Sequence, residues 1–291
     1  MYCWIDINTK YAMREMSICI YNSMRYKTFW GVGVAYIREL CLIVGRHNKQ
    51  TKLRMKKAII IGATSGIGKG LAKLLADNNY KIGLTGRRVE LLNELKNENP
   101  NFYIKSFDIN DTNVVGQKLD ELTTELGGLD LLIISSGIGD INENLDFEIE
   151  KRTIDTNVLG FTCVADWTFN YLEKQKSGHL VAISSIGGLR GSRQAPAYNA
   201  TKAYQINYLE GLRQKAKKLN TSIFVTDIRP GLVDTEMAKG EGLFWVMPVE
   251  KTVRQIYKAI ISKKKVAYVT KRWRLIATIL KRIPRPIYDK M

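Results

Sequence analysis

From Met55 onward, short apolar runs alternate with longer amphipathic stretches, and this alternation leaves the chain few architectures. The runs fall at 58–62, 81–86, 102–108, 129–135, 178–184 and 222–228. A short, near-continuous apolar run suits a strand buried on both faces, whereas a half-wet sheet would alternate apolar and polar residues. Between the runs, apolar residues recur at helical spacing over 66–77, 89–99, 111–126, 148–175 and 197–219, the third stretch stopping at Gly127-Gly128. Strands separated by helices predict one parallel, doubly wound α/β sheet with helices on both faces. No internal repeat or low-complexity tract interrupts it.

Charge reads differently once it is placed along the chain. The net charge is +17, but residues 1–54 contribute +6 and residues 262–291 contribute +9, so the body between them is nearly neutral at +2. A nucleic-acid surface would sit on the folded body, so no nucleic-acid partner is expected. Four cysteines with no CxxC pair argue against a disulfide framework and for a reducing cytoplasm. Two histidines, His47 and His179, are too few for a multi-histidine metal site, and none is expected. No apolar run is long enough to span a bilayer, and Asp6, Lys10, Arg14 and Glu15 interrupt any signal-peptide core.

The first apolar run ends in Gly62-Ala63-Thr64-Ser65-Gly66-Ile67-Gly68 and opens directly into a helical stretch. A helix N-terminus presents unpaired N–H groups and a positive dipole end, and glycines let a phosphate approach the backbone. The spacing Gly62-x-x-x-Gly66-x-Gly68 matches neither GxGxxG nor a P-loop, which needs Lys-Ser/Thr after its last glycine.

This GxxxGxG resembles the turn of the classical short-chain dehydrogenase/reductase family, and four further motifs follow in that family's order. Tyr198-Asn-Ala-Thr-Lys202 is similar to its Tyr-x-x-x-Lys, and Ser185 stands thirteen residues before Tyr198. Asn157 in Thr-Asn-Val-Leu-Gly resembles a fourth catalytic position, and Arg-Pro230-Gly231-Leu-Val233-Asp-Thr235 resembles the segment that touches the nicotinamide. The resemblance covers about residues 55–270. It implies a Rossmann-type fold and an oxidoreductase that moves hydride between a nicotinamide and a carbonyl or secondary alcohol. It also implies cofactor contacts at Gly62, Thr64, Ser65, Gly66, Ile67 and Gly68, an adenine contact at Asp108 and Ile109, and contacts at Ser136 and Gly137. The family's Asn-Asn-Ala-Gly reads Ile134-Ser135-Ser136-Gly137 here, and Ile61 stands where threonine is common.

Reduction of a carbonyl needs an acid for the developing alkoxide. Tyrosine, with a reference pKa of about 10, serves only if its anion is stabilised. Lys202 lies one helical turn after Tyr198 on the same face and offers a cation. Ser185 is placed to hydrogen-bond the carbonyl oxygen. By the resemblance, Lys202 also grips the nicotinamide ribose, and Asn157 orders a water linking Lys202 to solvent. A catalytically idle dinucleotide-binding sensor or scaffold is the alternative, but it has no need of all three side chains.

The second run ends in Thr85-Gly86-Arg87-Arg88 with no acid for a ribose 2′-hydroxyl. A guanidinium suits a 2′-phosphate, so NADPH is the expected cofactor. Residues 236–248 resemble the family's variable substrate loop: Gly240 and Gly242 offer hinges, and Leu243, Phe244, Trp245 and Met247 an apolar lid. Phe244 and Trp245 can equally pack on the core. The family commonly forms dimers or tetramers through its two long helices.

Both ends fall outside this pattern. Residues 1–54 lack the strand–helix rhythm; Met55 reads as the biological start, with the stretch before it an upstream translated segment, and a basic extension that binds a membrane or partner is the alternative. Residues 271–291 form a basic tail in which Trp273, Leu275, Ile276, Ala277, Ile279, Leu280 and Ile283 share one helical arc before Pro284 and Pro286. That arc either covers the domain or a second subunit, or lies peripherally on an anionic membrane.

Overall fold

The apolar runs are strands, and their one-residue alternation divides the core into two layers. The computed structural model describes residues 54–237 and 244–290, all but the first within the unit Met55–Met291. The strands are β1 Lys56–Ile61, β2 Tyr80–Gly86, β3 Phe102–Ser106, β4 Leu131–Ile134, β5 Ser177–Ile183, β6 Ser222–Pro230 and β7 Val266–Val269. They form one sheet in the order β3-β2-β1-β4-β5-β6-β7, with every pairing parallel. The helices are α1 Gly66–Ala76, α2 Val89–Glu98, α3 Thr112–Leu126, α4 Phe147–Ile154, α5 Phe161–Gln175, α6 Pro196–Lys218, α7 Val249–Ile261, α8 Lys271–Arg282 and α9 Arg285–Tyr288.

On β1, Ala58 and Ile60 join Leu71 and Leu75 of α1, Leu92 of α2 and Val253 and Ile256 of α7. Ile59 and Ile61 face the other way, onto Val115 and Leu119 of α3, Val164 and Phe169 of α5 and Leu209 of α6. Each of these residues is essentially removed from water, worth about 1.5–3 kcal/mol for a fully buried large aliphatic side chain. The chain winds outward from β1 to β3, then crosses back to β4 on the other side of β1. That reversal opens a crevice at the C-terminal ends of β1 and β4, where ligands of doubly wound sheets bind.

Strand ends fall within two residues of the sequence expectation, and two features depart from it. β7 adds a seventh, edge strand of four residues between Lys263-Lys264-Lys265 and Lys271; so short a run, flanked by charge as edge strands often are, carries little periodic signal. The helix expected over 148–175 is interrupted by a π-helical turn, Asp155–Gly160. One extra residue in a turn leaves the apolar spacing nearly unchanged, so periodicity passes over it.

Candidate active site

The turn after β1 is built for backbone proximity. Gly62 sits at φ +81° and Gly66 at φ +51°, both in the left-handed region. A Cβ on Gly62 would lie 2.8 Å from the Ser136 nitrogen, and one on Gly68 2.0 Å from the Gly62 carbonyl oxygen. The Gly62 and Ala63 N–H groups donate to the Thr85 carbonyl at 3.1 and 2.9 Å, tying the turn to β2. Ser65 holds the N-cap position of α1 without capping it through its side chain, so the first-turn N–H groups are left to an anion.

The two arginines after β2 part company. Arg88 donates to the Thr64 hydroxyl from Nε and Nη2 at 3.2 and 2.8 Å, and to the Ser65 hydroxyl from Nη2 at 2.9 Å; Glu236 lies 3.8 Å from its Nη1. Arg87 reaches Asp108 at 3.3 Å, and Asp108 also accepts the Asn110 N–H at 3.0 Å.

Ser185, Tyr198 and Lys202 converge from β5 and α6. Pro196 opens α6, and the Ala197 N–H donates to the Glu150 carboxylate at 2.9 Å, fixing the first turn that carries Tyr198. Ser185 accepts the Gly187 N–H at 3.0 Å. Burial raises the Tyr198 pKa, and the Ser185 hydrogen bond only partly opposes it. Lys202 is buried at 4% exposure, with Nζ donating to the Ile183 carbonyl at 3.1 Å and the Gln205 Oε1 at 3.0 Å. Burial pulls its pKa down to about 8, with Asp227 pulling the other way. The ammonium stands 5.8 Å from the Tyr198 ring centroid.

Asn157, fully buried in the π-helical turn, spends its side-chain amide on two neighbours. Its Oδ1 accepts the Ile138 N–H at 3.0 Å, and its Nδ2 donates to the Ile138 carbonyl at 2.7 Å and Thr201 Oγ1 at 3.1 Å. The side chain thus braces the loop after β4, in which Gly137 lies against both Asn157 and Lys202.

A single cleft of about 800 Å³ gathers Gly62, Thr64, Ser65, Gly66, Ile67, Arg87, Arg88, Asp108, Ile109, Ser136, Gly137, Ser185, Tyr198, Lys202, Pro230, Gly231, Val233 and Thr235. Gly68 and Asn157 support the walls from behind and are absent from the lining. The cleft also exposes Gly139, Ile141, Ile186, Ala195, Leu232 and Met237, none of which was singled out from the sequence as a site residue. Gly139 carries the one usable signal, a second glycine two residues after Gly137: a Cβ there would sit 2.3 Å from the Tyr198 ring. Phe244 and Trp245 do not line the cleft; they pack on Trp273 at 5.4 and 6.3 Å between ring centroids. Gly240, Gly242 and Leu243 lie outside the described residues.

The cleft fits a dinucleotide. The Ser136 hydroxyl is buried without a partner among the described residues, at the point where Gly62 approaches most closely. The uncapped end of α1 and the Arg88 guanidinium beside it give the turn a positive rim. No group of three His, Cys, Asp or Glu among the described residues is arranged for a metal, and no described helix is long and apolar enough to cross a membrane.

The tail packs on the domain, in part. Trp273 and Ala277 are buried, the Trp273 ring lying where a Cβ on Gly231 would come within 2.1 Å. Tyr288 donates to the Gly191 carbonyl at 2.6 Å, with Arg190 stacked 4.2 Å over its ring. Leu275 and Ile279 remain exposed. The broad apolar arc read from the sequence is therefore split between an inward and an outward face.

A family model described as short chain dehydrogenase matches residues 56–243. An uncharacterized oxidoreductase of Myxococcus xanthus is 29% identical over 248 residues, covering 82% of this chain and 96% of that protein. A short chain dehydrogenase from Burkholderia cenocepacia, solved with NADP, superposes with a TM-score of 0.70 at 20% identity, covering 81% of this chain and 96% of that one. A short chain dehydrogenase/reductase from Burkholderia phymatum, solved with NAD, gives 0.69 at 16% identity, covering 77% and 92%.

Proposed function

Because the chain belongs to the short-chain dehydrogenase family, we propose that it is an NADPH-dependent reductase of an apolar carbonyl compound, or a dehydrogenase of the matching secondary alcohol. The observation that carries this reading is the convergence of Ser185, Tyr198 and Lys202 in the cleft that holds the glycine turn. A bound nicotinamide dinucleotide supplies or accepts the hydride. The chain's own residues handle the proton and the charge. Ser185 accepts the Gly187 N–H, and its hydroxyl proton, turned to Tyr198 here, is the one a substrate oxygen takes over. Burial keeps Tyr198 protonated near neutrality, as an acid must be before it donates. Lys202 stabilises the tyrosinate that donation leaves behind. With a pKa of about 8, the lysine is still roughly nine-tenths cationic at pH 7. As pH rises through about 8 this cation is lost, so carbonyl reduction should fall on the alkaline side.

NADPH is favoured because Arg88 is held by Thr64 and Ser65 beside the phosphate turn, and no acid ends β2. The uncharged side chains of Ile141, Ile186, Leu232 and Met237 in the cleft favour an apolar substrate. We read the protein as a cytoplasmic homo-oligomer joined through α5 and α6, whose half-buried aromatics stack as Trp167–Tyr171 and Tyr204–Tyr208; a monomeric mass by light scattering would refute that part.

The test is Tyr198→Phe, assayed by NADPH oxidation against a panel of carbonyl compounds. Turnover should drop by about 10²–10⁴-fold, the usual loss for a general acid, while NADPH still binds. Wild-type turnover in this variant on a confirmed substrate would overturn the mechanism.

A further inference from the structure

The outward face of α8 is apolar as well as basic. Leu275 and Ile279, one turn apart on the same side, are 62% and 48% exposed. Arg272 lies on that side too, its guanidinium 5.8 Å over the Trp245 ring. Trp245 packs edge-on against Phe244, and both rings are about half exposed. Aliphatic and aromatic groups therefore form one band along the helix and the segment before α7. The charge around the band has one sign: residues 271–290 carry seven Lys and Arg against a single acid, Asp289.

We propose that this face docks peripherally on an anionic lipid bilayer. Exposed aliphatics enter the headgroup–acyl boundary, indole rings settle at headgroup depth, and cations on long stems reach lipid phosphates. Each cation near an anionic surface contributes attraction that salt screens. Burying the face against a second copy is disfavoured, because a two-fold contact sets the same patch against itself and would oppose cation to cation. Trp273 of the same helix underlies Gly231 at the cleft, so docking brings the cleft rim to the bilayer, where an apolar carbonyl compound partitions.

The full chain should sediment with phosphatidylglycerol vesicles and not with phosphatidylcholine vesicles. Leu275→Glu with Ile279→Glu should abolish sedimentation while leaving the thermal midpoint, oligomer mass and turnover of a water-soluble carbonyl unchanged. Equal sedimentation with both lipids, or none with either, overturns the proposal. So does a double variant that sediments like the parent, which would assign the binding to other cations, including those of residues 1–54. A smaller oligomer in the double variant would make the face a subunit contact instead.

A separate observation concerns the catalytic lysine, and this second inference rests on the reductase reading above. Gln205, 1% exposed, accepts from Lys202 Nζ at 3.0 Å and donates from Nε2 to the main-chain oxygen of Asn157 at 2.9 Å. The geometry points to Gln205 as the positioning residue that fixes the Lys202 ammonium. Its amide joins the Asn157 main chain to the Lys202 ammonium directly. Two ammonium N–H groups are committed, to Ile183 and Gln205, and the third is left for the cleft.

Gln205→Leu removes a partner of the cation and should shift the alkaline fall of kcat/KM to lower pH; Gln205→Glu sets an anion beside it and should shift the fall upward. Lower thermal midpoints in both variants with an unmoved pH profile would mean a purely structural glutamine and overturn the inference. The Tyr198→Phe result separates that outcome from a failure of the reductase reading itself.

Discussion

Arg87 reaches Asp108 across 3.3 Å of exposed surface, whereas Arg88 is held by three hydrogen bonds to Thr64 and Ser65. Exposed ion pairs contribute about 0–1 kcal/mol, but each charge-assisted hydrogen bond to a phosphate is worth roughly 1.5–3 kcal/mol. Arg88→Ala should therefore weaken NADPH binding by at least about tenfold with little effect on NADH, and Arg87→Ala should do less. Calorimetric titration with both cofactors checks this; equal losses for NADPH and NADH would make Arg88 a brace of the turn. A second single-residue effect lies away from the cleft. His179 is buried with Nε2 2.7 Å from the Thr226 hydroxyl, and burial, aided by the Lys263 charge, lowers its pKa to about 4. In the unfolded chain the ring titrates near 6.5, so between about pH 6.5 and 4 the unfolded state binds more protons than the native one. Stability should thus fall on acidification through that window, by up to roughly 3 kcal/mol from this group. Denaturant unfolding of His179→Gln at pH 7 and pH 5 should show a flatter acid dependence than the parent.

At the scale of elements, α8 is a structural part of the domain, because Trp273 is enclosed between Gly231 and the Phe244–Trp245 pair. Trp273→Ala should cost about 3–5 kcal/mol, the usual range for removing a buried aromatic, and removal of residues 271–291 should lower the thermal midpoint further. Gly231→Ala should disturb the same contact from the other side, since its Cβ would meet the indole at 2.1 Å. Unfolding curves of the three variants test this, and a parent-like midpoint for Trp273→Ala would show the indole to be an ornament of the surface. The π-helical turn is the other element with a local purpose. It presents Asn157 to Ile138 and Thr201, while Gly160 in the same turn admits Ile109, whose main-chain oxygen would lie 2.9 Å from any Cβ there.

For the whole molecule, among the described residues the sheet begins at Lys56 and its core at Ala58. A protein starting at Met55 should therefore keep its thermal midpoint and NADPH affinity. Loss of either on deleting residues 1–54 would make that segment a working part of the domain.

The parallel sheet and the glycine turn were legible in the sequence because each is a local pattern, whereas Ser185, Tyr198 and Lys202 were marked by the family resemblance. Apolar spacing reports a strand or a helix without knowledge of its neighbours, and a strand fixes where the next motif must emerge. Contacts between distant segments were decided only by the tertiary structure. Nothing local tells Arg88 from Arg87, sends the Asn157 amide to Ile138, or lays Gln205 between Asn157 and Lys202. The tail shows the same limit: a helical wheel sets Trp273 and Leu275 at opposite edges of one broad apolar arc, and the domain covers the first edge and leaves the second in water. Periodicity records which side chains share a face of a helix; how much of that face is buried depends on the shape of what it meets.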